Sequence, residues 1–121
     1  MRNPDQYSQN KRAVGGYFST LRTKITDPEI LVKSLQDLGI IVKREADVRG
    51  FNGQRVRADI VAVLEGDYDL GWSCNGDGTF DLIADLWGVA KKHSQTELIN
   101  SINAKYAVNK TLKEIKERGL N

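Results

Sequence analysis

Hydrophobic residues alternate with polar residues along three consecutive segments in the middle of the chain. The alternating residues are Val56, Ala58, Ile60, Ala62 and Leu64 in the first segment, Tyr68, Leu70, Trp72 and Cys74 in the second, and Phe80, Leu82, Ala84 and Leu86 in the third. Because the side chains of a β-strand point alternately to its two faces, each segment is predicted to be a half-buried strand. A β-branched segment starting at Ile40 precedes them, and a short strand over residues 18–25 opens the domain. The pattern therefore predicts an antiparallel sheet of about five strands.

Two other segments have helical spacing. Ile30, Leu31, Ser34, Leu35 and Leu38 share one face of the first, and Leu98, Ile102, Tyr106, Leu112 and Ile115 share one face of the second. Thr26 with Glu29 and Ser94 with Glu97 form capping boxes, and Gly39 suits the end of the first helix. The predicted chain order is strand, helix, four strands, helix. This order predicts an α+β fold in which two helices cover one face of the sheet.

The loops fix the register of the predicted hairpins. A loop at residues 76–78, with Gly78 in a left-handed position, pairs Trp72 with Leu82 and leaves the apolar faces aligned. By the same reasoning a loop at residues 65–67 pairs Ile60 with Trp72. The loop from Arg49 to Arg55 joins the earlier pair of strands.

This register also predicts the residues on the second face of the sheet. Its cross-strand rows are Asp59, Ser73 and Asp81, then Val61, Gly71 and Ile83, then Val63, Asp69 and Asp85. Asp69 is expected directly opposite Asp85, with Cβ atoms about 5 Å apart, where like charges need a cation or an arginine. Gly71 leaves a gap that another backbone or an apolar group can approach.

Two interpretations of this second face stay open. The first is an acidic groove for a basic or metal-bearing partner. The second is an ordinary solvated face whose carboxylates pair with Arg57, Lys43 or Arg44, as the polar faces of antiparallel sheets commonly do.

The tip from Arg49 to Arg55, with Arg57 just beyond, is the second candidate site. Its aromatic residue, Phe51, stands between arginines in a glycine-containing turn. Such a ribbon can stack a nucleic-acid base and hold phosphates, or insert Phe51 into a protein pocket. Alternatively, Phe51 folds back on the core of its own domain.

Composition narrows the class of protein only slightly. The chain has 121 residues, of which 40% are hydrophobic and 28% charged, as in an ordinary single domain. A net charge of +2 is too small an excess to indicate nucleic acid. The single cysteine excludes an internal disulfide, and no apolar run approaches the roughly 20 residues that span a membrane. We expect residues 1–16 to be a flexible N-terminal extension and residues 17–121 to form one domain.

Several separated blocks of sequence resemble a known family. They are FSTLRTKI, LGI, ADVRGFNGQRVRADIV, YDLGWS, DLIADLWG and KYAVNKTLKEIKERG. In this order they resemble the family of cyanobacteria and red-algal plastids called hypothetical chloroplast reading frame thirty-five, a domain of unknown function. The resemblance implies residence in the cyanobacterial cytoplasm or the plastid stroma, and it implies no catalytic residues.

Members of that family differ from this chain at both ends. They begin near the FST block, and they continue past the last helix into a further apolar segment. Where such a strand is absent, the sheet has an open edge, which favours oligomerisation or binding by strand addition.

Three hypotheses about function follow. No GxGxxG, P-loop or nucleophile–base spacing is present, so we favour a non-enzymatic binding or accessory module that acts through a protein partner or self-association. The alternative is an RNA-binding module that uses the Arg49–Arg57 hairpin, and the third is a metal-dependent enzyme that uses the outer-face carboxylates. The candidate partner-binding residues are Arg49, Phe51, Arg55, Arg57, Gly71, Asp59, Asp69, Asp81 and Asp85. No cofactor and no membrane insertion are expected.

Overall fold

The computed structural model describes residues 17–90 and 93–119. Within them, five strands and three α-helices follow one another. The elements are β1 (Ser19–Arg22), α1 (Pro28–Asp37), β2 (Ile41–Arg49), β3 (Arg55–Val63), β4 (Leu70–Cys74), β5 (Phe80–Ala84), α2 (Leu86–Ala90) and α3 (Gln95–Glu117), with a short 3₁₀ turn at Phe51–Gly53. The extension predicted over residues 1–16 lies outside the described residues.

The strands form one antiparallel sheet in the order β1-β5-β4-β3-β2. The predicted α+β class is therefore confirmed, and the short helix α2 is an addition to the predicted order of elements. The predicted pairs Trp72–Leu82 and Ile60–Trp72 are both present. The β3–β4 ladder ends at Ala62–Leu70, so the loop between these strands is longer than the three residues predicted.

Both long helices begin at a capping side chain. Ser94 caps α3 as predicted, but α1 is capped by Asp27 and not by Thr26. Asp27 stands immediately before Pro28, and its carboxylate accepts from two backbone N–H groups of the first turn, at 3.0 and 3.2 Å. One carboxylate therefore satisfies two orphan donors, which a single hydroxyl does less well.

The main core lies between the inner face of the sheet and the helices. It contains Ile30, Leu31 and Leu35 of α1, Ile60, Leu70, Trp72 and Leu82 of the sheet, Val89 of α2, and Ile102 and Tyr106 of α3. The prediction that Leu112 and Ile115 are buried was wrong, since they are 57% and 39% exposed. At 1.5 Å per residue α3 is about 35 Å long and a five-residue strand only about 17 Å, so the last turns of α3 extend beyond the sheet.

The hairpin formed by β2 and β3 does not continue the plane of the sheet. Its pairing is interrupted at Glu45, which has a left-handed φ of 48°. Beyond this point the hairpin curls over the outer face, and β2 contacts β4 and β5 although β3 lies between them in the sheet. We call the curled part, residues 46–58, the folded arm.

The folded arm closes a second, smaller core on the outer face. Its buried members are Phe18, Val48, Ala58, Val61 and Ile83. The gap expected at Gly71 is filled from within the chain, because a Cβ there would overlap Val48 and lie 3.0 Å from the Cβ of Ala58. The expectation that the outer face is uncovered was therefore wrong. Alternation along a strand predicts which face of the sheet a side chain points to, but it does not predict the bend that folds the hairpin over that face.

Candidate functional site

Arg49 is the centre of a hydrogen-bond cluster beneath the tip of the folded arm. Its Nε and Nη2 donate to the two carboxylate oxygens of Asp69, at 2.8 and 2.7 Å. The same guanidinium donates to the backbone carbonyls of Leu64 and Gly66. The hydrogen bonds with Asp69 raise the pKa of Arg49 above its ordinary value, although burial alone would lower it. Arg49 therefore ties the arm to the β3–β4 loop.

Asp69 and Asp85 are buried below the arm, with 1% and 0% of their surface exposed. Each lies one residue beyond the last strand pair, Leu70–Ala84, as the predicted row requires. Asp69 is neutralised by Arg49, whereas Asp85 accepts from the backbone N–H groups of Phe51 and Gly88, at 3.1 and 3.0 Å. The arginine that the sequence argument required is thus Arg49, and not Arg57 or Arg44.

The other predicted site residues are distributed over the surface. Asp59 accepts from the backbone N–H of Cys74 at 2.7 Å, and Asp81 accepts from the side chain of Asn75 at 2.9 Å. Arg57 has an exposed ion pair with Asp47 at 3.6 Å. Asp59 and Asp81 therefore have partners of their own, away from the buried pair Asp69 and Asp85. The predicted residues do not form one acidic groove.

Phe51 and Arg55 remain accessible at the tip. Phe51 is 37% exposed and meets the ring of Tyr17 edge-on, with centroids 4.8 Å apart. Arg55 lines a recess of about 350 Å³ between the tip and the β3–β4 loop, together with Asp67 and Tyr68. Because Arg49 is engaged with Asp69, the tip presents fewer available cations than the RNA-binding hypothesis assumed.

The positions of the carboxylates also test the hypothesis of a metal site on the outer face of the sheet. Within residues 17–90 and 93–119, no three His, Cys, Asp or Glu side chains are gathered in a way that could hold a metal ion. Asp69 and Asp85 already accept hydrogen bonds from an arginine and from backbone N–H groups. These hydrogen bonds tie the folded arm to the sheet.

A cavity larger than the recess at the tip lies elsewhere, between strand β1 and helix α3. This β1–α3 groove has a volume of about 620 Å³. Its apolar lining includes Leu21, Ile25, Trp72, Leu82, Ile99 and Ile102. Several of these residues also belong to the main core, so the groove is an open flank of the core rather than a shallow surface depression.

Three cationic residues lie along the β1–α3 groove. Arg22, Lys24 and Lys110 line it, and among the residues that the structure describes no Asp or Glu does so. Carboxylates lie close to two of these cations, since Asp81 is the partner of Arg22 in the β1–β5 ladder and a carboxylate oxygen of Glu114 is 3.8 Å from the Nζ of Lys110. The groove therefore combines an apolar floor with a charged rim that carries residues of both signs.

The strand beside the groove is an edge of the sheet. Within the described residues, β1 pairs with β5 on one side and with no strand on the other. The N–H of Thr23 donates to the carbonyl of Phe80 at 3.2 Å, so Thr23 faces β5. Because antiparallel ladders alternate, the backbone N–H and C=O groups of Thr20 and Arg22 point to the open side.

Sequence reasoning did not find this groove. Its two walls, residues 21–25 and 99–111, are separated by more than seventy residues in sequence. The one available signal was the spacing of Ile99, Asn103 and Ala107 along α3, which runs beside the buried residues and lines the groove. That stripe is too short and too mixed to be recognised without the strand order.

By its fold, the protein is an antiparallel α+β domain with an apolar groove along one sheet edge. Residues 34–121 match the family described as "Protein of unknown function (DUF1257)". The chain is 32% identical over 104 residues to "Uncharacterized protein ycf35" of Guillardia theta, which covers 85% of this chain and 80% of that protein. The chain belongs to this family, and the resemblance seen in its sequence is confirmed. No solved structure matches it.

Proposed function

We propose that the protein is a non-enzymatic binding module that holds a segment of a partner protein in the β1–α3 groove. The observation that carries the proposal is the coincidence of an apolar groove of about 620 Å³ with an open strand edge. A polypeptide can satisfy both, since its side chains fill the groove and its backbone pairs with the edge. A small apolar molecule would leave the edge unpaired.

We further propose that it works in the cytoplasm of a cyanobacterium or in the plastid stroma. The family resemblance implies this origin, and the ycf35 relative from Guillardia theta agrees with it. Among the described residues, no helix combines the length and the apolar character needed to cross a bilayer.

Site-specific photocrosslinking tests the proposed binding site. A benzophenone amino acid replaces Ala107, an exposed residue of the groove, or Ser101, an exposed residue of α3 outside it. In a native lysate we expect Ala107 to crosslink one protein that Ser101 does not. Mass spectrometry identifies that protein, and calorimetry then measures its binding in purified form.

The purified pair gives the decisive comparison. Thr111→Trp places a large ring in the groove without altering the core, because Thr111 is exposed there, and it should weaken binding about tenfold or more. Ser101→Trp is the matched control and should bind normally. Equal binding by both variants, or equal crosslinking from both positions, would show that the groove is not the partner site.

A further inference from the structure

The two ends of β1, the proposed binding edge, are held in different ways. Within the described residues β1 pairs with β5 on one side only, over four residues. Its C-terminal end is followed by further backbone bonds, because Thr23 donates to the carbonyl of Phe80 and Phe80 donates to the carbonyl of Ile25, at 3.2 and 2.9 Å. At its N-terminal end the ladder stops at the pair Ser19–Ala84. The contacts of the residues before Ser19 therefore decide how firmly this end of the edge is fixed.

The folded arm covers the two residues that precede β1. Phe18 is 1% exposed and belongs to the smaller core, and its ring lies against the backbone of Gly50. A Cβ at Gly50 would lie 2.8 Å from Cε2 of that ring and closer still to Cζ, so only glycine permits this approach. Tyr17 meets Phe51 edge-on, with ring centroids 4.8 Å apart. The tip of the arm thus lies directly on the segment that leads into the binding edge.

One of the bonds that hold the arm down is made at the same level of the sheet. The N–H of Phe51 donates to the carboxylate of Asp85 at 3.1 Å, and Asp85 follows Ala84, the ladder partner of Ser19. Lifting the arm would expose the buried ring of Phe18. Releasing Ser19 from β5 would in turn draw that ring out from under the arm. Each movement therefore breaks contacts that stabilise the other element.

Resting on the proposed function, we infer that the folded arm is a clamp that opens and closes together with β1, so that a partner in the β1–α3 groove holds the arm closed. The arm can move as one unit, because the β2–β3 ladder is interrupted at its base, at Glu45, and is continuous from the pair Ala46–Ala58 to the tip. The closed arm fixes Phe18 and with it the start of β1, which is then in place to pair with a partner segment. Closure of the arm and occupation of the groove therefore favour each other, although they lie on opposite faces of the sheet.

Hydrogen exchange of the unmodified protein tests the coupling without any partner. The amide of Phe51 reports lifting of the arm, and the amide of Leu21, which faces β5, reports release of β1. The amide of Trp72, in the middle of the sheet, reports global unfolding. In low concentrations of denaturant we expect Phe51 and Leu21 to have the same free energy of opening, below that of Trp72. Different values for Phe51 and Leu21, or one value for all three amides, would overturn the inference.

Gly50→Ala tests the contact on which the coupling depends. The added methyl group displaces the ring of Phe18, so the amides of Phe51 and Leu21 should both exchange at least about fivefold faster, by the same factor. Arg57→Met is the matched control in the same arm, because the side chain of Arg57 is 70% exposed, and it should change both rates by less than about threefold. Faster exchange at Phe51 alone would show that the arm moves independently of β1.

The partner identified by crosslinking extends the test to the groove. At a concentration about a hundred times its Kd, the partner should slow exchange of the Phe51 amide at least about tenfold, because the arm then opens only where the partner has left β1. Slower exchange at Leu21 with an unchanged rate at Phe51 would overturn the inference and leave the groove as the partner site. If the partner protects neither amide and binds outside the groove, the proposed function fails, and exchange in the unmodified protein still decides whether the arm and β1 open together.

Discussion

Replacing Arg49 by methionine tests the claim that the folded arm is held by a buried ion pair. Methionine keeps much of the apolar stem but removes the two hydrogen bonds to Asp69, at 2.8 and 2.7 Å, and those to two backbone carbonyls. Asp69 would keep only two backbone donors, the N–H groups of Arg49 at 3.0 Å and of Leu64 at 3.2 Å. A carboxylate with 2% of its side chain exposed would then lack a counter-charge.

The expected loss of stability in Arg49→Met follows from the burial of the ion pair. Breaking a buried ion pair by removing one partner costs about 3–5 kcal/mol. The side chain of Arg49 is 29% exposed, so water can partly replace it, and we expect Arg49→Met to lower the free energy of unfolding by about 3 kcal/mol. This is a large share of the roughly 5–15 kcal/mol typical of a domain.

Urea unfolding followed by tryptophan fluorescence measures this loss, with Arg57→Met as the control. The ion pair of Arg57 with Asp47 is 3.6 Å long, and its side chains are 70% and 43% exposed. We expect that control to change stability by less than about 1 kcal/mol. Adding Asp69→Asn to Arg49→Met should recover part of the loss, because the buried group is then neutral. Equal stabilities for Arg49→Met and Arg57→Met would refute the reasoning.

Three other contacts give sharper tests of the packing. Gly71→Ala should lower the free energy of unfolding by about 1–3 kcal/mol, and Val48→Ala should relieve part of that loss in the double variant. Tyr106→Phe should cost about 1–3 kcal/mol in denaturant unfolding, because its hydroxyl accepts from two backbone N–H groups before α1, at 3.0 and 2.9 Å. Burial raises the pKa of Asp27, but hydrogen bonds from Lys113 and the backbone outweigh it, so the pKa lies below its ordinary value of 3.8. As the pH falls through 3.8 and below, the folded state therefore binds fewer protons than the unfolded state, and the thermal midpoint of unfolding should fall. In Lys113→Met, which lacks the hydrogen bond to Asp27, the midpoint should fall less steeply over the same pH range.

The pairing of the strands could be predicted because it depends on local features. Loop glycines and the two-residue period leave only one register in which the apolar faces coincide, and the Trp72–Leu82 pair confirms it. Ala58 and Ile60 show the limit of this reasoning. Both point to the same side of β3, yet Ala58 belongs to the outer core and Ile60 to the main core. The two-residue period predicts to which side of a strand each residue points. The bend of β3 between Ala58 and Ile60, in contrast, depends on tertiary packing.

The candidate sites show the same division between local and long-range information. Arg49 was predicted to face a partner because it belongs to a glycine-containing turn in which arginines flank the aromatic residue Phe51. Its actual partner, Asp69, is twenty residues away in sequence, and only the fold of the arm brings the two together. The β1–α3 groove depends on strand order, which places the first strand at an edge. No local pattern carries that order, so the groove could not be predicted.

The two edges of the sheet differ in how readily they can accept another strand. The β2 edge carries the consecutive charged residues Lys43, Arg44 and Glu45, and its pairing is interrupted where Glu45 adopts a left-handed conformation. Arg44 is also bound to Glu29 of α1 at 2.9 Å, which places a helix side chain against that strand. Charges and kinks of this kind are the usual means by which sheet edges avoid unwanted pairing. The β1 edge has no such kink and lies beside an apolar groove, so an added strand gains buried surface there as well as hydrogen bonds. The β1 edge also carries charges, at Arg22 and Lys24, so the two edges differ in the kink of β2 and the groove beside β1, and this difference favours the proposal that β1 is the binding edge.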